Sequence, residues 1–95
     1  MADNHDKVAE RISKKLHGTY DPTKSPDVRG DRGRAEIKSS ASEIPKALRQ
    51  LSGAGGPRYV VLPKHEHKQA LERLAGLKTG LMDYQGNVIK RSRRK

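Results

Sequence analysis

The organisation of this chain follows from one segment, Ser25–Lys38, which reads SPDVRGDRGRAEIK. Two glycines flank Asp31 and Arg32, a pattern that is typical of a two-residue turn between extended segments. A turn at this point pairs Val28 with Ala35 across the two segments. The sequence therefore predicts a β-hairpin, and the rest of the chain is interpreted around it.

The predicted hairpin gathers charged side chains on one face. Because side chains alternate along a strand, Asp27, Glu36 and Lys38 are expected opposite the apolar residues of both strands. Carboxylates opposed across a ladder repel by a few tenths of a kcal/mol to about 1 kcal/mol. A divalent cation held between the carboxylates would make the interaction favourable, since Mg2+ binds one or two carboxylates together with water and phosphate oxygens. Two alternatives stay open: Lys38 neutralises Glu36 locally, or a one-residue register shift moves Asp27 to the other face.

These residues resemble a nuclease signature. Pro26-Asp27 followed by Glu36-Ile37-Lys38 is similar to the PD-(D/E)xK motif of the restriction-endonuclease-like nucleases, and the element order is nearest to archaeal Holliday-junction resolvases. The resemblance implies a structure-selective DNA endonuclease that uses Mg2+ or Mn2+. It implies Asp27, Glu36 and the Ile37 carbonyl as metal ligands, and Lys38 as the amine that orients the nucleophile or stabilises negative charge. The chain departs from the family in the short spacing of Asp27 and Glu36 and in having no appended specificity domain.

The resemblance also assigns two helix positions. A glutamate on the first helix approaches the metal in the resolvases, and Glu10 is the matching position; the alternative is an ordinary pair with Lys14 one turn later. The helix after the ExK strand often carries a polar residue that faces substrate, and Gln50 is the matching position; the alternative is a solvated Gln50. Enzymes of this kind commonly act as dimers, so a homodimer is an expected partner.

The charge balance predicts a polyanionic partner. The chain has 21 Lys and Arg against 11 Asp and Glu, a net charge of +10. Such an excess on a small body attracts nucleic acid by counterion release and steering, and the resemblance favours DNA over RNA. The alternative is that basic composition serves solubility or contact with a membrane surface. The positions expected to contact nucleic acid are Ser25, Arg29, Arg32, Arg34, Lys46, Arg49, Gln50, Lys90, Arg91, Arg93, Arg94 and Lys95.

Length and composition indicate one small domain. Ninety-five residues with 32% hydrophobic content form a single thin core, which we place at residues 1–89, followed by a basic tail at 90–95. The lack of cysteine excludes disulfides and thiolate metal sites. The sequence contains no apolar run of bilayer length, and its first residues are too polar for a signal peptide. We therefore expect a cytoplasmic protein without a membrane partner.

Apolar spacing predicts the remaining elements. The predicted helices are residues 5–17 with Asn4 or Asp6 as the cap, 43–51 with Ser42 as the cap, and 66–77; the predicted strands beyond the hairpin are 59–62, 80–84 and 87–89. The passage from residue 34 to 62 is expected to be a right-handed crossover between parallel strands. The predicted fold class is α/β, a small mixed sheet flanked by helices and a minimal restriction-endonuclease-like core.

Other residues and other functions compete with these assignments. Asp21 also precedes a proline and competes with Asp27 as the first carboxylate. His65 and His67 form a His-x-His pair for which a zinc site is the minor alternative to two surface histidines. Besides an endonuclease, the sequence is compatible with a catalytically silent nucleic-acid-binding module on the same fold, or with a basic structural protein of a ribonucleoprotein or phage particle.

Overall fold

The computed structural model describes residues 2–21, 27–52 and 56–92, with side chains from His5 onward. Within these ranges the helices are α1 Ala2–Lys15, α2 Ile44–Leu51 and α3 His67–Leu74. The strands are β1 Gly18–Tyr20, β2 Val28–Gly30, β3 Gly33–Ile37, β4 Arg58–Val61, β5 Gly80–Met82 and β6 Val88–Lys90. Single 3-10 turns, Ala41–Glu43 and Lys64–Glu66, lead into α2 and α3.

The strands form one mixed sheet in chain order, β1-β2-β3-β4-β5-β6. The first three strands are antiparallel neighbours, β3, β4 and β5 are parallel, and β6 returns antiparallel to β5. Parallel neighbours need a long crossover, which the segments that contain α2 and α3 provide. The predicted α/β class and the parallel pairing of the strands on either side of α2 are confirmed.

Helices cover both faces of the sheet. The apolar stripe of α1 packs on one face against residues of the hairpin and of β4 and β5, while α2 and α3 pack on the other. The α1 side contains Val8, Ala9, Ile12, Leu16, Val28, Ala35, Ile37, Val61 and Met82. The α2 and α3 side contains Ala41, Ile44, Ala47, Leu51, Val60, Leu62, Ala70, Leu74 and Leu81. The β4 side chains Val60 and Val61 are buried on opposite faces, as predicted for a central strand.

The hairpin has the predicted register. Val28 pairs with Ala35 and Gly30 with Gly33, so that Asp31 and Arg32 form the turn. Gly33 has φ of 142°, and a Cβ there would meet the carbonyl oxygen of Pro57 at 2.8 Å. A side chain at this position would be strained and would also push away the segment that enters β4. The turn glycine therefore sets both the reversal and the approach of β4 to β3.

The first helix differs from its prediction at both ends. It begins at Ala2, so Asn4 and Asp6 lie inside α1, and their assignment as caps is wrong. The Asp6 carboxylate instead accepts a hydrogen bond from the Tyr20 hydroxyl at 2.7 Å. The helix ends at Lys15, and His17 then takes a left-handed conformation with φ of 54°. The contacts of His5 and Asp6 with Tyr20 attach this end of α1 to β1.

The other predicted boundaries also shift. The cap assigned to Ser42 is wrong, because the Ser40 side chain accepts the Ser42 N–H at 3.2 Å and begins the 3-10 turn. The third helix ends at Leu74, short of the predicted residue 77, and Gly76 follows with φ of 79°. Lys90, assigned to the tail, is the last residue of β6, and its ammonium donates to the carbonyl oxygens of two residues before β5.

None of the helices in residues 2–21, 27–52 and 56–92 has the length and hydropathy needed to cross a bilayer.

Candidate functional site

Asp27, Glu36 and Lys38 meet where β2 begins and β3 ends. The Asp27 N–H donates to Glu36 Oε1 at 2.7 Å, and the Ile37 N–H donates to Asp27 Oδ2 at 3.1 Å. Lys38 Nζ lies 3.4 Å from Glu36 Oε2. The structure thus brings together the two acids and the amine that the hairpin register predicts to be neighbours.

The local sequence explains this arrangement. Side chains of β3 alternate, so Ala35 and Ile37 pack under α1 while Glu36 points to the opposite face. Asp27 stands one residue before β2, and its carboxylate takes the place of a backbone acceptor for the Ile37 N–H. Each carboxylate therefore accepts a backbone N–H from the opposite strand, and these reciprocal bonds hold both acids in defined orientations.

Glu36 is a buried carboxyl group. Its exposed fraction is 1%, while the Lys38 ammonium beside it belongs to a side chain that is 11% exposed. Burial, followed by the charge of Asp27, raises the pKa of Glu36 above its usual value; the Asp27 N–H and the Lys38 charge oppose this shift. Further positive charge at this position would therefore stabilise the ionised carboxylate.

The raised pKa of Glu36 makes the free energy of unfolding depend on pH. The unfolded chain releases the Glu36 proton near pH 4.5, whereas the folded chain releases it at a higher pH. The stabilising contribution of protonated Glu36 to the free energy of unfolding is therefore fully present below pH 4.5. It is lost as the pH rises through the folded pKa. Compared with Glu36→Gln, wild type should lose stability above pH 4.5 by up to about 1.4 kcal/mol per pH unit within that window. Urea unfolding in EDTA at a series of pH values measures this difference.

The exposed Glu72→Gln variant is the control for the same chemical change. Its pH profile should run parallel to wild type, because this side chain is exposed on α3 and lies outside the buried site. Parallel profiles for wild type and Glu36→Gln would contradict the effect of burial on Glu36.

His5 joins the site from α1. Its Nε2 lies 3.4 Å from Asp27 Oδ2, and its Nδ1 lies 3.4 Å from the Tyr20 hydroxyl. Sequence reasoning missed this residue because it treated the helix as starting here. The signal was available: His5 stands three and four positions before Val8 and Ala9, so it extends the buried stripe of α1 by one turn.

Glu10 does not lie on the side of α1 from which His5 contacts Asp27. It is exposed on α1, and its backbone carbonyl accepts the Ser13 hydroxyl at 2.7 Å. Five residues beyond His5, it is rotated by about 140° around the helix from the side that meets Asp27. Within residues 2–21, 27–52 and 56–92 no three His, Cys, Asp or Glu side chains form a group that could hold a metal ion. The assignment of Glu10 as a ligand is thus without geometric support.

The donor set nevertheless fits a hard divalent cation. Two carboxylates and the Ile37 carbonyl are oxygen donors, and Mg2+ commonly binds through one or two carboxylates while water and phosphate complete its shell. Glu36 is a buried carboxyl group beside a second acid, and the Lys38 ammonium already lies 3.4 Å from its Oε2. Asp27 and Glu36 are the residues that would hold the cation.

The other assigned positions are spread over the molecule. Arg29, Arg32, Lys46, Arg49 and Arg91 are exposed, while Arg34, Gln50 and Lys90 are half-buried. Ser25, Arg93, Arg94 and Lys95 lie outside the described residues, as does Pro26 of the motif. In sequence, Arg29 and Arg34 are each two positions from one of the two acids, Arg32 lies in the turn at the other end of the hairpin, and Lys46 and Arg49 lie on α2.

The structure also shows the surroundings of Asp21, His65 and His67, the residues of the competing assignments. The Asp21 N–H donates to the Asp27 carbonyl at 3.1 Å, which extends the pairing of β1 with β2. His67 Nε2 donates to the Leu62 carbonyl oxygen at 2.8 Å, and His65 Nε2 lies 3.6 Å from Glu66 Oε2. The two histidines thus have separate partners; His65 is exposed, as expected of a surface histidine, whereas His67 is half-buried.

Comparison of the chain with protein-family models, with curated proteins and with solved structures gives no significant match. The geometry at the end of β3 is therefore the basis for any functional assignment.

Proposed function

We propose that this chain is a metal-dependent phosphodiester hydrolase that acts on nucleic acid, with DNA favoured, and that it is related to the PD-(D/E)xK nucleases. One observation carries the proposal: Glu36 is buried between the Asp27 N–H at 2.7 Å and the Lys38 ammonium at 3.4 Å. Two acids and one amine in this arrangement suit the binding of a cation and of a phosphate at one point. The order of elements around the hairpin supports the same relationship.

Asp27, Glu36 and Lys38 have separate roles in the proposed reaction. Asp27 and Glu36 hold the cation, with the Ile37 carbonyl available on the same strand. The chemistry that Mg2+ or Mn2+ would supply there is polarisation of the phosphoryl oxygen and a greater acidity of water. Lys38 either orients the attacking water or stabilises the negative charge that develops on the phosphate. Homodimer formation, which would allow two strands to be cut, belongs to the same proposal.

A second candidate is a nucleic-acid-binding module without catalysis. The net charge of +10 favours it, because this charge attracts a polyanion whether or not a metal is bound. Incubation of the purified chain with duplex, branched and single-stranded DNA and with RNA, in Mg2+, Mn2+ or EDTA, separates the candidates. Metal-dependent products support the hydrolase; binding to these substrates without products in either metal supports the module.

Metal binding can be tested without a choice of substrate. In a titration followed by NMR, Mn2+ should first broaden the backbone amide signals of Asp27, Glu36 and Ile37, because these residues surround the proposed ligands. Mg2+ should shift the same signals. Asp31, an exposed acid in the hairpin turn, is the internal comparison. Equal broadening at Asp31 and at the three site residues would show only weak binding to surface acids and would contradict the metal site.

A further inference from the structure

The outer face of α1 carries a concentrated positive charge. Lys7, Arg11, Lys14 and Lys15 are all exposed, and we call these four residues the basic stripe. At 3.6 residues per turn they fall within a sector of about 100° around the helix. The apolar residues of α1 from Val8 onward are buried on the side that meets the sheet. None of the four basic residues was among those that the sequence assigned to nucleic-acid contact.

Among the side chains that the structure describes, the lysines of the basic stripe have no acidic partner. No carboxylate oxygen in this part of the chain lies within 4.0 Å of the ammonium groups of Lys7, Lys14 or Lys15. Arg11 donates to the carbonyl oxygen of Tyr84 at 2.6 Å, and because this acceptor is neutral the guanidinium keeps its full charge. The charge of the stripe is therefore accessible to an anion.

Interactions within α1 account for only part of this charge. Lys14 and Lys15 belong to the last turn, where the helix dipole favours positive charge. That effect falls off within one turn, so it does not explain Lys7 or Arg11. Arg11 stands four positions after Lys7 and four positions before Lys15, a spacing at which like charges on a helix repel each other. A bound anion would offset this repulsion.

The basic stripe lies beside the candidate site. His5, near the start of the helix, approaches Asp27 Oδ2 at 3.4 Å. Arg11 contacts the Tyr84 carbonyl, and the Tyr84 hydroxyl donates to the carbonyl oxygen of Lys38 at 2.8 Å. Between these two contacts α1 borders the rim of the sheet at which the two acids and the amine meet. Tyr84 connects the edge of the stripe with the backbone of the site.

The composition of the outer face favours nucleic acid over a membrane surface. An amphipathic helix that binds a bilayer inserts its apolar side chains at the boundary between headgroups and acyl chains. In α1 these side chains are covered by the sheet, and Ala9 and Ile12 have an exposed fraction of 0%. The outer face offers charge without apolar anchors, which suits a succession of backbone phosphates.

We propose that the basic stripe binds the phosphate backbone of a nucleic-acid strand and guides it over Tyr84 to the candidate site. The inference rests on the proposed function, since nucleic acid is the ligand and the site is where the strand is delivered. Lys7, Arg11 and Lys15 follow one another at about 6 Å along the helix axis, so the stripe can contact several phosphates at once. Phosphate contacts of this kind position a strand without reading its bases.

The first test measures binding alone. It uses fluorescence anisotropy of labelled DNA and RNA oligonucleotides, in EDTA so that no cleavage occurs. Combining Lys7→Gln with Lys14→Gln should weaken binding by about tenfold or more, because two phosphate contacts are lost. The slope of log K against log salt should fall in magnitude by about 2. Glutamine has nearly the helix propensity of lysine, so α1 should persist.

Lys68→Gln combined with Lys78→Gln is the matched control, because both lysines are exposed and belong to α3 and to the segment after it. It should weaken binding less than about threefold, as expected for a general effect of net charge. Lys7→Arg combined with Lys14→Arg keeps the charge and should bind as wild type does. If the two glutamine pairs weaken binding equally, or if Lys7→Gln with Lys14→Gln leaves binding unchanged, the basic stripe is overturned.

The second test locates the strand. The chain contains no cysteine, so a single introduced cysteine can carry a photoreactive crosslinker. Glu10→Cys places the crosslinker between Lys7 and Lys14 without removing positive charge, and Glu72→Cys makes the same change at an exposed position on α3. Crosslinked DNA should be several times more abundant with Glu10→Cys. Equal yields from the two positions would contradict the inference.

Vesicles that contain phosphatidylserine test the competing anionic surface. The amount of protein that sediments with these vesicles should be the same for wild type and for Lys7→Gln combined with Lys14→Gln. If this variant loses vesicle binding and keeps wild-type affinity for DNA and RNA, the stripe contacts a membrane, and the inference is overturned.

The two proposals fail separately. If the basic stripe passes both nucleic-acid tests but no substrate is cleaved, the hydrolase fails and a binding surface remains. If metal-dependent cleavage occurs while Lys7→Gln with Lys14→Gln binds as wild type does, the stripe fails and the hydrolase remains. Where both hold, this variant should need about tenfold more protein for half-maximal cleavage, with its rate at saturation near wild type.

Discussion

Glu36→Gln is expected to reduce metal-dependent cleavage of nucleic acid by about 100-fold or more. Glutamine preserves the size of the side chain and an oxygen that accepts the Asp27 N–H, so the hairpin should keep its shape. It removes the negative charge that pairs with Lys38 and that would attract the proposed cation. Losing one preorganised electrostatic contact to a reaction centre typically lowers the rate by 10²–10³. The measurement is the single-turnover cleavage rate at saturating protein in Mg2+ and in Mn2+.

The same loss is expected of Asp27→Asn. Asparagine retains an oxygen that can accept the Ile37 N–H, so the fold should again be preserved while the charge is lost. Glu72→Gln and Asp31→Asn make the same chemical changes at exposed positions and should cleave at the wild-type rate. Full activity in both site variants would attribute the cleavage to a contaminating nuclease and would remove the hydrolase from consideration.

The hairpin and the strand pairing around it were predictable because local chemistry determines them. Gly30 and Gly33 set the turn, and from the turn alone strand alternation places Val28 opposite Ala35. The apolar run at 59–62, which includes all of β4 after Arg58, indicates a buried central strand, and a helical crossover between neighbouring strands gives parallel pairing. These features depend on neighbours in sequence, where competing solutions are few.

The capping residues show why boundaries were harder to predict. Ser39, Ser40 and Ser42 are all good cap residues, and nothing in their immediate sequence selects among them. One local and one tertiary contact accompany the observed start: Glu43 accepts the N–H of Ser39 at 3.2 Å, and Glu66, from the turn before α3, accepts the N–H of Ala41 at 2.7 Å. The start of this turn therefore depends in part on a contact between elements far apart in sequence.

The candidate site likewise contains residues whose positions follow from local sequence and residues whose positions depend on tertiary packing. Glu36 and Lys38 lie on or next to one strand, so their proximity followed from strand geometry. The contact of His5 with Asp27 depends on how α1 lies across the sheet, which no local rule gives. The resemblance led to Glu10 because it supplied the expected residue type without its position around the helix.

Lys38→Met is expected to slow cleavage by about 10²–10³ while changing the affinity for uncleaved DNA less than about threefold. Methionine replaces the ammonium with an apolar group of similar length, so the loss is confined to the charge that acts on the nucleophile or on the phosphate. The Lys38 carbonyl accepts the Tyr84 hydroxyl at 2.8 Å, which holds the backbone whatever the side chain. Single-turnover rates and anisotropy in EDTA measure the two quantities separately.

The contrast between rate and affinity decides between the two candidate functions. A phosphate-binding lysine in a silent module would lose affinity, whereas an amine that acts during hydrolysis would lose rate. Because Lys38 lowers the pKa of Glu36, its removal should also raise that pKa further, and a higher Mg2+ concentration or pH should partly restore cleavage. Lys38→Arg keeps the charge with a different shape and should recover part of the rate. Lys68→Met, at an exposed position on α3, should leave both rate and affinity near wild type. An unchanged rate in Lys38→Met would exclude this amine from the reaction.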